Sequence, residues 1–367
     1  MKKISLFLLT TPLLYAVYLS NKSCEECHPD IYREYQHSYH SKTFFNDELH
    51  RKVAKKAPVY DCGRCHMPAA GNLRDMEKGK TWPNPIHQRQ KDAVSCFYCH
   101  QIAFVKKAQR FNQIVLAKQA EGYKPTLYGA LNNPDDCDKH SSVKSPIYEK
   151  FVCAGCHSHK RNGNDVLIFR AMKENQGSEG CIKCHMPEIP GAPEKMNKRA
   201  RMTHHSHFFN GIHDDAMRRK SVDISIRPER RKIIVTLHNK MGHPLIIQAA
   251  RMKYLDLRLY RDGKVVWRNF KKDPMEDRKA VFVTNFLEHG KPSLIPYFAT
   301  KRGFVNNLDA NETRTLEYAV PEMKKRDRIE AAMYVILAKP ECSAAIDLKE
   351  RELTTPLLMK KAETTLR

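Results

Sequence analysis

The stretch DCGRCHMPAAG (residues 61–71) places two cysteines three positions apart, with a histidine directly after the second. The same Cys-x-x-Cys-His arrangement occurs five times, and its copies use ten of the twelve cysteines in the chain. At this composition, chance would give about 0.02 copies. The repeated residues are Cys24, Cys27 and His28; Cys62, Cys65 and His66; Cys96, Cys99 and His100; Cys153, Cys156 and His157; and Cys181, Cys184 and His185. One chemistry must therefore explain all five copies.

Three kinds of chemistry use paired cysteines, and the histidine separates them. A disulfide framework needs no neighbouring histidine, and a thioredoxin-like redox motif normally occurs once. Structural zinc takes its remaining ligands from a distant half-site, so it does not require histidine at the next position. Covalent c-type haem does require it, because the thiols bond the haem vinyl groups and the histidine becomes the proximal iron ligand. The sequence therefore predicts five covalently attached haem c groups, each with a motif histidine as its proximal iron ligand.

The N-terminus has the pattern of an export signal. Two lysines precede sixteen mostly apolar residues at positions 4–19, and a polar stretch follows. This is the n-region and h-region of a secretory signal, slightly short for a membrane span. Because Ala16 is the only small residue well placed for cleavage, an uncleaved anchor over residues 1–20 stays the alternative to a signal peptide. We predict a periplasmic protein that is either soluble or anchored by this segment.

The formal net charge is +23. One interpretation is that the lysines only neutralise haem propionates and keep the chain soluble. The other is that a basic face steers the protein towards an acidic redox partner or an anionic membrane. Nucleic acid is excluded as a partner, because an exported haem protein meets none. We therefore expect redox partner proteins with an acidic docking surface, or a membrane quinol-oxidising complex, bound near residues 195–201 and 218–220.

The residue pattern of the chain changes after residue 220. Residues 21–220 hold all five motifs and show weak apolar periodicity, which predicts a pentahaem cytochrome c domain of short α-helices and loops around stacked haems, with some helical length at 104–120. Residues 221–340 contain seven alternating or β-branched runs, with a hairpin turn at 261–264. This pattern predicts an all-β, sandwich-like domain. Residues 341–367 are predicted to form a charged helical tail.

Several elements between residues 24 and 340 resemble the cytochrome c-554-like multihaem cytochromes, relatives of the haem modules of hydroxylamine oxidoreductase and octahaem reductases. The matching stretches are CEECHPDIYREYQHSYHSKTF (24–44), CGRCHMP (62–68), YGALNNPDDCDKHSSVKSPIYEKFVCAGCH (128–157), CIKCHMP (181–187), HHSHFFNGIHDDAM (204–217) and VTLHNKMGHPL (235–245). One departure is Pro244-Leu245-Ile246 after Gly-His, where the group often has x-x-Pro-Thr-Gly. The resemblance implies an electron-transfer haem region joined to a β-sandwich.

Eighteen histidines less the five in the motifs leave thirteen for at most five distal iron positions. His40 is a distal candidate because Ser38-x-His40 matches an element of the resembling group. The other distal candidates are His140, His207, His213, His87 and His243; for each, a surface, neighbouring or satisfied histidine is the alternative. The remaining seven histidines are interpreted as non-ligands: His37, His50, His159, His204, His205, His238 and His289.

Two cysteines, Cys137 and Cys342, lie outside the motifs. In an oxidising compartment they could join the haem region to the C-terminal domain as a disulfide. Two unpaired thiols are the alternative.

The predicted function is electron transfer. Five haems in one chain can relay electrons between a respiratory donor and a reductase or oxidase partner, with potentials tuned by axial ligands and exposure. The alternative is a multihaem oxidoreductase that acts on a small nitrogen or sulfur compound at one five-coordinate haem. Cytochrome c nitrite reductase is excluded, because its Cys-x-x-Cys-Lys site is absent from the sequence.

Overall fold

The computed structural model of the chain describes residues 18–119, 123–172, 180–195, 199–293 and 295–367. The signal or anchor predicted for residues 1–20 therefore lies outside the described residues, except at its last three positions. Across the described ranges, no helix is both long enough and apolar enough to cross a membrane. The elements fall into two regions, the motif region (residues 18–220) and the β region (residues 222–367).

The motif region consists of short helices and small two-stranded sheets. Its α-helices are α1 (Asn21–Glu25), α2 (Pro29–His37), α3 (Glu48–Ala54), α4 (Gly63–His66), α5 (Leu73–Glu77), α6 (Gln88–Lys91), α7 (Cys96–Cys99), α8 (Ile147–Lys150), α9 (Ala154–His157), α10 (Cys181–His185) and α11 (Asp215–Lys220). Its strands pair as β1 (Ile102–Lys106) with β2 (Gln113–Leu116), β3 (Thr126–Gly129) with β4 (Ser141–Lys144), β5 (His159–Arg161) with β6 (Leu167–Arg170), and β7 (Glu188–Pro190) with β8 (Thr203–His205). Only β3 and β4 are parallel.

The helical length expected at 104–120 is wrong. The chain forms an antiparallel hairpin there, with Val105 paired to Ile114. Tertiary packing explains the strands: Ile114 lies so close to Gly155 of α9 that an added Cβ would come within 2.5 Å of its side chain. The β-branched residues of β1 and β2 therefore favour a flat surface against a motif helix over a helix of their own.

The β region contains two antiparallel sheets. Its strands are β9 (Val222–Glu229), β10 (Lys232–Asn239), β11 (Met252–Arg261), β12 (Lys264–Arg268), β13 (Val281–Glu288), β14 (Lys291–Ser293), β15 (Lys301–Asn306), β16 (Thr313–Ala319), β17 (Arg328–Ile336) and β18 (Leu357–Thr365). Among the described residues, one sheet has the order β16-β10-β9, and the other has the order β14-β13-β11-β17-β18, with β12 beside β11 and β15 beside β13. The turn between β11 and β12 has positive φ at Asp262 and Gly263, as the predicted hairpin requires.

The two sheets enclose one apolar core. Val235 from the smaller sheet and Leu257 and Ile329 from the larger sheet belong to the same buried cluster, and none of the three is exposed. Alternation along each strand produces this arrangement, because every second side chain points to the same face. The predicted all-β, sandwich-like part of the fold is therefore confirmed.

The helical tail predicted for residues 341–367 is wrong in its second half. Two short helices, α12 (Pro340–Ala345) and α13 (Arg351–Thr354), are followed by β18, which pairs with β17 at the edge of the larger sheet. The charged residues misled the prediction, because Lys361 and Glu363 are exposed on this strand while Met359 is buried in the core. Charged side chains on an edge strand also discourage pairing with another chain.

The motif region and the β region pack directly against each other. Val166, Phe286 and Ala299 form a shared buried cluster. Beside it, the Asn162 amide donates hydrogen bonds to the carbonyl oxygens of Pro296 at 2.9 Å and Ala299 at 2.7 Å. These contacts fix the motif region against the sandwich.

Candidate haem sites

One cavity of about 2160 Å³ connects the five motifs, and all fifteen motif cysteines and histidines line it. An ordinary small-molecule site has a volume of roughly 300–1,000 Å³. Protein interiors are packed as densely as organic crystals and leave few voids larger than a water molecule. The size and lining of this cavity therefore fit several large apolar groups held at the motifs.

The motif spacing positions thiols and imidazole together because each motif winds into a helical turn. In the first four motifs the backbone N–H of the histidine donates to the backbone carbonyl oxygen of the first cysteine at 2.8–3.1 Å. The fifth motif forms the whole of helix α10. Residues i, i+3 and i+4 lie on one face of such a turn. Each motif thus presents two thiols and one imidazole to the same side, as covalent haem attachment requires.

Four of the distal candidates lie opposite a motif histidine. The imidazole centroids of His140 and His28 are 6.3 Å apart, and the two rings are 25° from parallel. Since a metal–imidazole bond is about 2 Å long, rings about 6 Å apart can both reach one metal ion between them. The other three pairs are His207 with His100 at 6.4 Å, His243 with His185 at 6.4 Å, and His40 with His157 at 5.9 Å.

Hydrogen bonds orient the rings of these pairs. The Nδ1 atoms of His28 and His100 lie 2.7 and 2.6 Å from the carbonyl oxygens of Pro193 and Tyr128. An Nδ1–H that donates to a carbonyl leaves the Nε2 lone pair free for a metal. Nδ1 atoms are also bonded to backbone carbonyl oxygens at His185, His207 and His243.

Burial keeps the candidate ligands neutral. It lowers the pKa of His40 and His207 to about 3 and the pKa of His243 to about 4. Only a neutral imidazole can donate a lone pair to a metal, so these rings are in the binding form at neutral pH.

Two distal candidates, His213 and His87, do not lie opposite a motif histidine, so the ligand role expected of them stays a prediction. His213 lines the cavity and stacks on Tyr39 with ring centroids 3.5 Å apart. His87 is exposed at the start of α6 and does not line the cavity. Both positions are set by tertiary contacts that the local sequence does not reveal.

The second motif differs from the other four. Among the described residues, the ring that lies against His66 is that of His50, which was interpreted as a non-ligand. The two centroids are only 4.1 Å apart with the rings tilted by 49°, too close for a metal ion to lie between them. The Tyr60 hydroxyl lies 3.1 Å from Nε2 of His50. No motif marks His50 in the sequence; its place in the first turn of α3, beside the cavity, is visible only in the fold.

The attachment thiols of different motifs lie close together. Neighbouring thiols shift each other's pKa: Cys96 lowers the pKa of Cys24, Cys156 lowers that of Cys65 to about 7, and Cys153 lowers that of Cys181 to about 7. These thiols belong to the first and third, the second and fourth, and the fourth and fifth motifs. A thiolate at Cys99 in the third motif would raise the pKa of Cys156 in the fourth. The five motifs therefore form one connected set.

Cys137 and Cys342 are not bonded to each other. Both are free thiols; the Cys137 thiol donates to the carbonyl oxygen of His140 at 3.6 Å, and Cys342 is buried in α12. The structure therefore favours the unpaired alternative.

The fold of this chain is similar to that of a penta-haem cytochrome c552 from Thermochromatium tepidum. The similarity has a TM-score of 0.72 at 23% sequence identity and covers 95% of this chain and 99% of that chain. A superoxide reductase in the oxidised state aligns over 40% of this chain with a TM-score of 0.19, which carries no weight. No protein-family model and no curated protein matches the chain. Over nearly its whole length, the chain therefore has the fold of a penta-haem cytochrome.

Proposed function

We propose that this chain is an exported c-type cytochrome that carries five covalent haems and relays electrons between a respiratory donor and a reductase or oxidase partner. The observation that carries the proposal is the single cavity, lined by every motif cysteine and histidine and crossed by four opposed histidine pairs. The fold shared with a penta-haem cytochrome supports the same number of groups.

In this proposal the ten motif thiols hold the haems as thioethers, and imidazoles hold the irons. Haem supplies reversible one-electron chemistry when bound, and two imidazole ligands favour a low potential relative to methionine ligation. The chain contributes neutral, oriented imidazoles and a cavity with a mostly apolar lining. The contacts between thiols of different motifs support a chain of neighbouring groups in the order first, third, fourth, with the second and fifth both beside the fourth.

The partner is proposed to be an acidic redox protein or a membrane quinol-oxidising complex, since the chain is strongly basic. The expected docking face needs revision in part. Arg199 and Arg201 are both paired with Asp135, and Arg218 is buried with its guanidinium donating to the Ile212 carbonyl. Lys198 lies outside the described residues. Arg218 therefore serves the fold, whereas Arg219 and Lys220 are exposed on the expected docking face.

The test is the haem content and spin state of the exported protein. Intact mass should show five covalent haems, and electron paramagnetic resonance should show low-spin iron at the four motifs with opposed histidines. His40→Met should keep all five haems, because attachment uses thiols, and should raise one midpoint potential. A protein without covalent haem, or one in which zinc fills the motifs, would overturn the proposal.

A second function is proposed for the haem of the second motif, namely reduction or oxidation of a small nitrogen or sulfur compound. The contact between His50 and His66 favours it, because His50 lies too close to oppose His66 across an iron and is hydrogen bonded to Tyr60. Haem attached at the second motif must displace the His50 ring. If that ring moves aside without binding the iron, the position opposite His66 stays open for a small ligand.

Carbon monoxide distinguishes the two functions at this haem. If the site is open, the reduced wild-type protein should bind one equivalent of carbon monoxide, and His50→Ala should change that binding little. If His50 moves to become the sixth ligand, the wild type should be inert and His50→Ala should create a high-spin haem. The second result would leave the electron carrier as the sole proposed function.

A further inference from the structure

Two basic side chains lie without a carboxylate partner where β11 meets the cavity. Arg251 immediately precedes β11 and Lys253 is its second residue; both line the cavity. Lys253 is 4% exposed, and its ammonium donates to the carbonyl oxygen of Leu245 at 2.6 Å. Within the described residues, neither side chain forms an ion pair. The pair is therefore a concentration of positive charge, with Lys253 buried and Arg251 half-buried, that no ion pair of the described residues neutralises.

The cost of this arrangement can be seen in both residues. Burial lowers the pKa of Lys253 to about 7, and the neighbouring charge of Arg251 adds to the effect. Burial also lowers the pKa of Arg251 to about 10. An unpaired buried charge typically costs several kcal/mol, and two like charges side by side cost more. An anion between them would remove most of that cost.

The register of β11 explains how a lysine comes to face the interior. Lys253 has the same parity as Leu255 and Leu257, which point into the sandwich core. Lys253 therefore lies at the end of that apolar row, where the core opens onto the cavity. A methionine at this position would extend the apolar row without the free-energy cost of burying a charge. We therefore infer that the Lys253 ammonium interacts with a group in the cavity.

The histidine opposite the fifth motif feels both charges. The charges of both Arg251 and Lys253 act on His243, which lies opposite His185, and the charge of Arg251 also acts on His213. Of the groups that the proposed function brings to this part of the cavity, the anionic ones are the propionates of the haem attached at the fifth motif. Guanidinium is well suited to them, because it binds a carboxylate through two parallel hydrogen bonds.

We propose that Arg251 and Lys253 form a carboxylate site, occupied by the propionates of the haem attached at Cys181 and Cys184. The assignment rests on the proposed cytochrome function. Its consequence is a tuned potential, because a nearby positive charge stabilises the ferrous state, which carries one positive charge less than the ferric state. The fifth haem thus has a higher potential than it would have beside neutral residues.

The test is a spectroelectrochemical titration of the complete haem-loaded protein and its variants. Arg251→Gln and Lys253→Met should each shift one of the five midpoint potentials downward, by about a tenfold change in the ferric–ferrous equilibrium, or about 59 mV for one electron. Arg251→Lys, which keeps the charge, should retain most of the potential. Lys264→Met is the matched control, because it removes the same charge from an exposed position at the start of β12, where water and salt screen it.

A small free anion is the competing occupant, and sodium nitrite is its probe. If the propionates fill the site, nitrite added to the wild type should not shift the one midpoint potential that Arg251→Gln lowers. Any effect of nitrite at another haem should be the same in the wild type and in Arg251→Gln. A nitrite effect that disappears in Arg251→Gln would overturn the propionate assignment. So would shifts in Arg251→Gln and Lys253→Met no larger than that of Lys264→Met.

Haem counting separates this failure from failure of the proposed function. Five covalent haems by intact mass with unshifted potentials reject only the carboxylate site, whereas a chain without covalent haem rejects the cytochrome itself. If Arg251→Gln does not accumulate as folded protein, the midpoint potentials of Lys253→Met and Arg251→Lys are compared with that of Lys264→Met. Each of these two substitutions changes the site less than Arg251→Gln does.

Discussion

The β region and the motif region bury their surfaces in different ways. The β region has its own core: nine of the twelve largest fully buried side chains, among them Leu257, Phe282 and Ile329, belong to it. The motif region contributes only Tyr60, Met67 and Met76 to that set. Besides one small buried cluster that includes these three side chains, the motif region has a cavity lined by cysteines and histidines. The β region is stabilised by its own buried side chains, whereas the motif region would be stabilised by a group bound in its cavity.

Under the proposed function, this contrast implies that attachment of haem and folding are one process in the motif region. Its helices are four to nine residues long, too short to be stable alone in water. Any group that binds the folded chain and not the unfolded chain stabilises the fold. A covalent group in the cavity therefore contributes to the motif region what the leucines and isoleucines contribute to the sandwich.

The largest expected effect is the loss of one haem from the motif region. Cys153→Ala combined with Cys156→Ala removes the attachment thiols of the fourth motif, which contacts both the second and the fifth. Without that haem, part of the 2160 Å³ cavity loses the apolar group proposed to fill it, so the motif region should lose several kcal/mol of stability, a large part of what holds a domain folded. Hydrogen exchange should show loss of protection across residues 18–220 and retained protection in the sandwich.

Cys137→Ala is the control for this variant, because Cys137 lies outside the motifs and should keep five haems. Equal protection in the double variant and the wild type would mean that the motif region does not depend on its contents, and the contrast between the regions would fail.

A core substitution in the β region should give the second-largest effect. Leu257 is fully buried at the centre of β11, so Leu257→Ala should lower the free energy of unfolding by about 2–5 kcal/mol. Chemical denaturation followed by circular dichroism measures this loss. Haem content and visible spectrum should stay unchanged at temperatures where the sandwich is folded. Val265→Ala, at an exposed position, should cost less than about 0.5 kcal/mol; a loss of haem in Leu257→Ala would show that the two regions fold as one unit.

The sequence was most informative where function depends on short spacings. The Cys-x-x-Cys-His motifs and the turn at Asp262-Gly263 are local patterns, so their geometry follows from the chain itself. The strands of the sandwich were also predictable, because alternating apolar and polar residues indicate a strand with one buried face. Charged residues on β18 and β-branched residues in the hairpin of β1 and β2 were misread, because each depends on a partner strand or helix elsewhere.

Which histidine opposes which motif could not be predicted, because the partners are far apart in the chain. His207 lies more than a hundred residues after His100, yet their rings face each other. His213, six residues further on, belongs to the same histidine-rich stretch but is held by Tyr39. Nothing in the local sequence distinguishes these two outcomes. For the same reason, the contact of His50 with His66 could not be predicted from the sequence.

A buried carboxylate in the motif region should give an intermediate effect. Glu34 accepts hydrogen bonds from Nε2 of His204 at 3.0 Å and from the backbone N–H of His207 at 2.7 Å. Glu34→Ala leaves two buried donors without partners, at about 1–3 kcal/mol each. Denaturation should show a loss of about 2–4 kcal/mol, with hydrogen exchange raised at residues 203–207. Glu26→Ala, which breaks only an exposed pair with Lys139, should change stability by less than about 0.5 kcal/mol; similar losses in both variants would argue against a special role for Glu34.

The smallest expected effect concerns acid stability in the β region. Asp327 is buried and accepts two hydrogen bonds from Arg261, at 3.0 and 2.7 Å, which lower the pKa of its carboxyl. A carboxyl whose folded pKa is below its unfolded value of about 3.9 stabilises the fold above that pH, and the contribution is lost as pH falls through the folded pKa. Asp327→Asn should therefore lower stability by about 1 kcal/mol at pH 7, and this difference from the wild type should shrink below about pH 4. Thermal unfolding of the sandwich between pH 3 and pH 7 measures it. A constant difference across that range would mean that the Asp327 charge contributes nothing and that only the shape of the side chain matters.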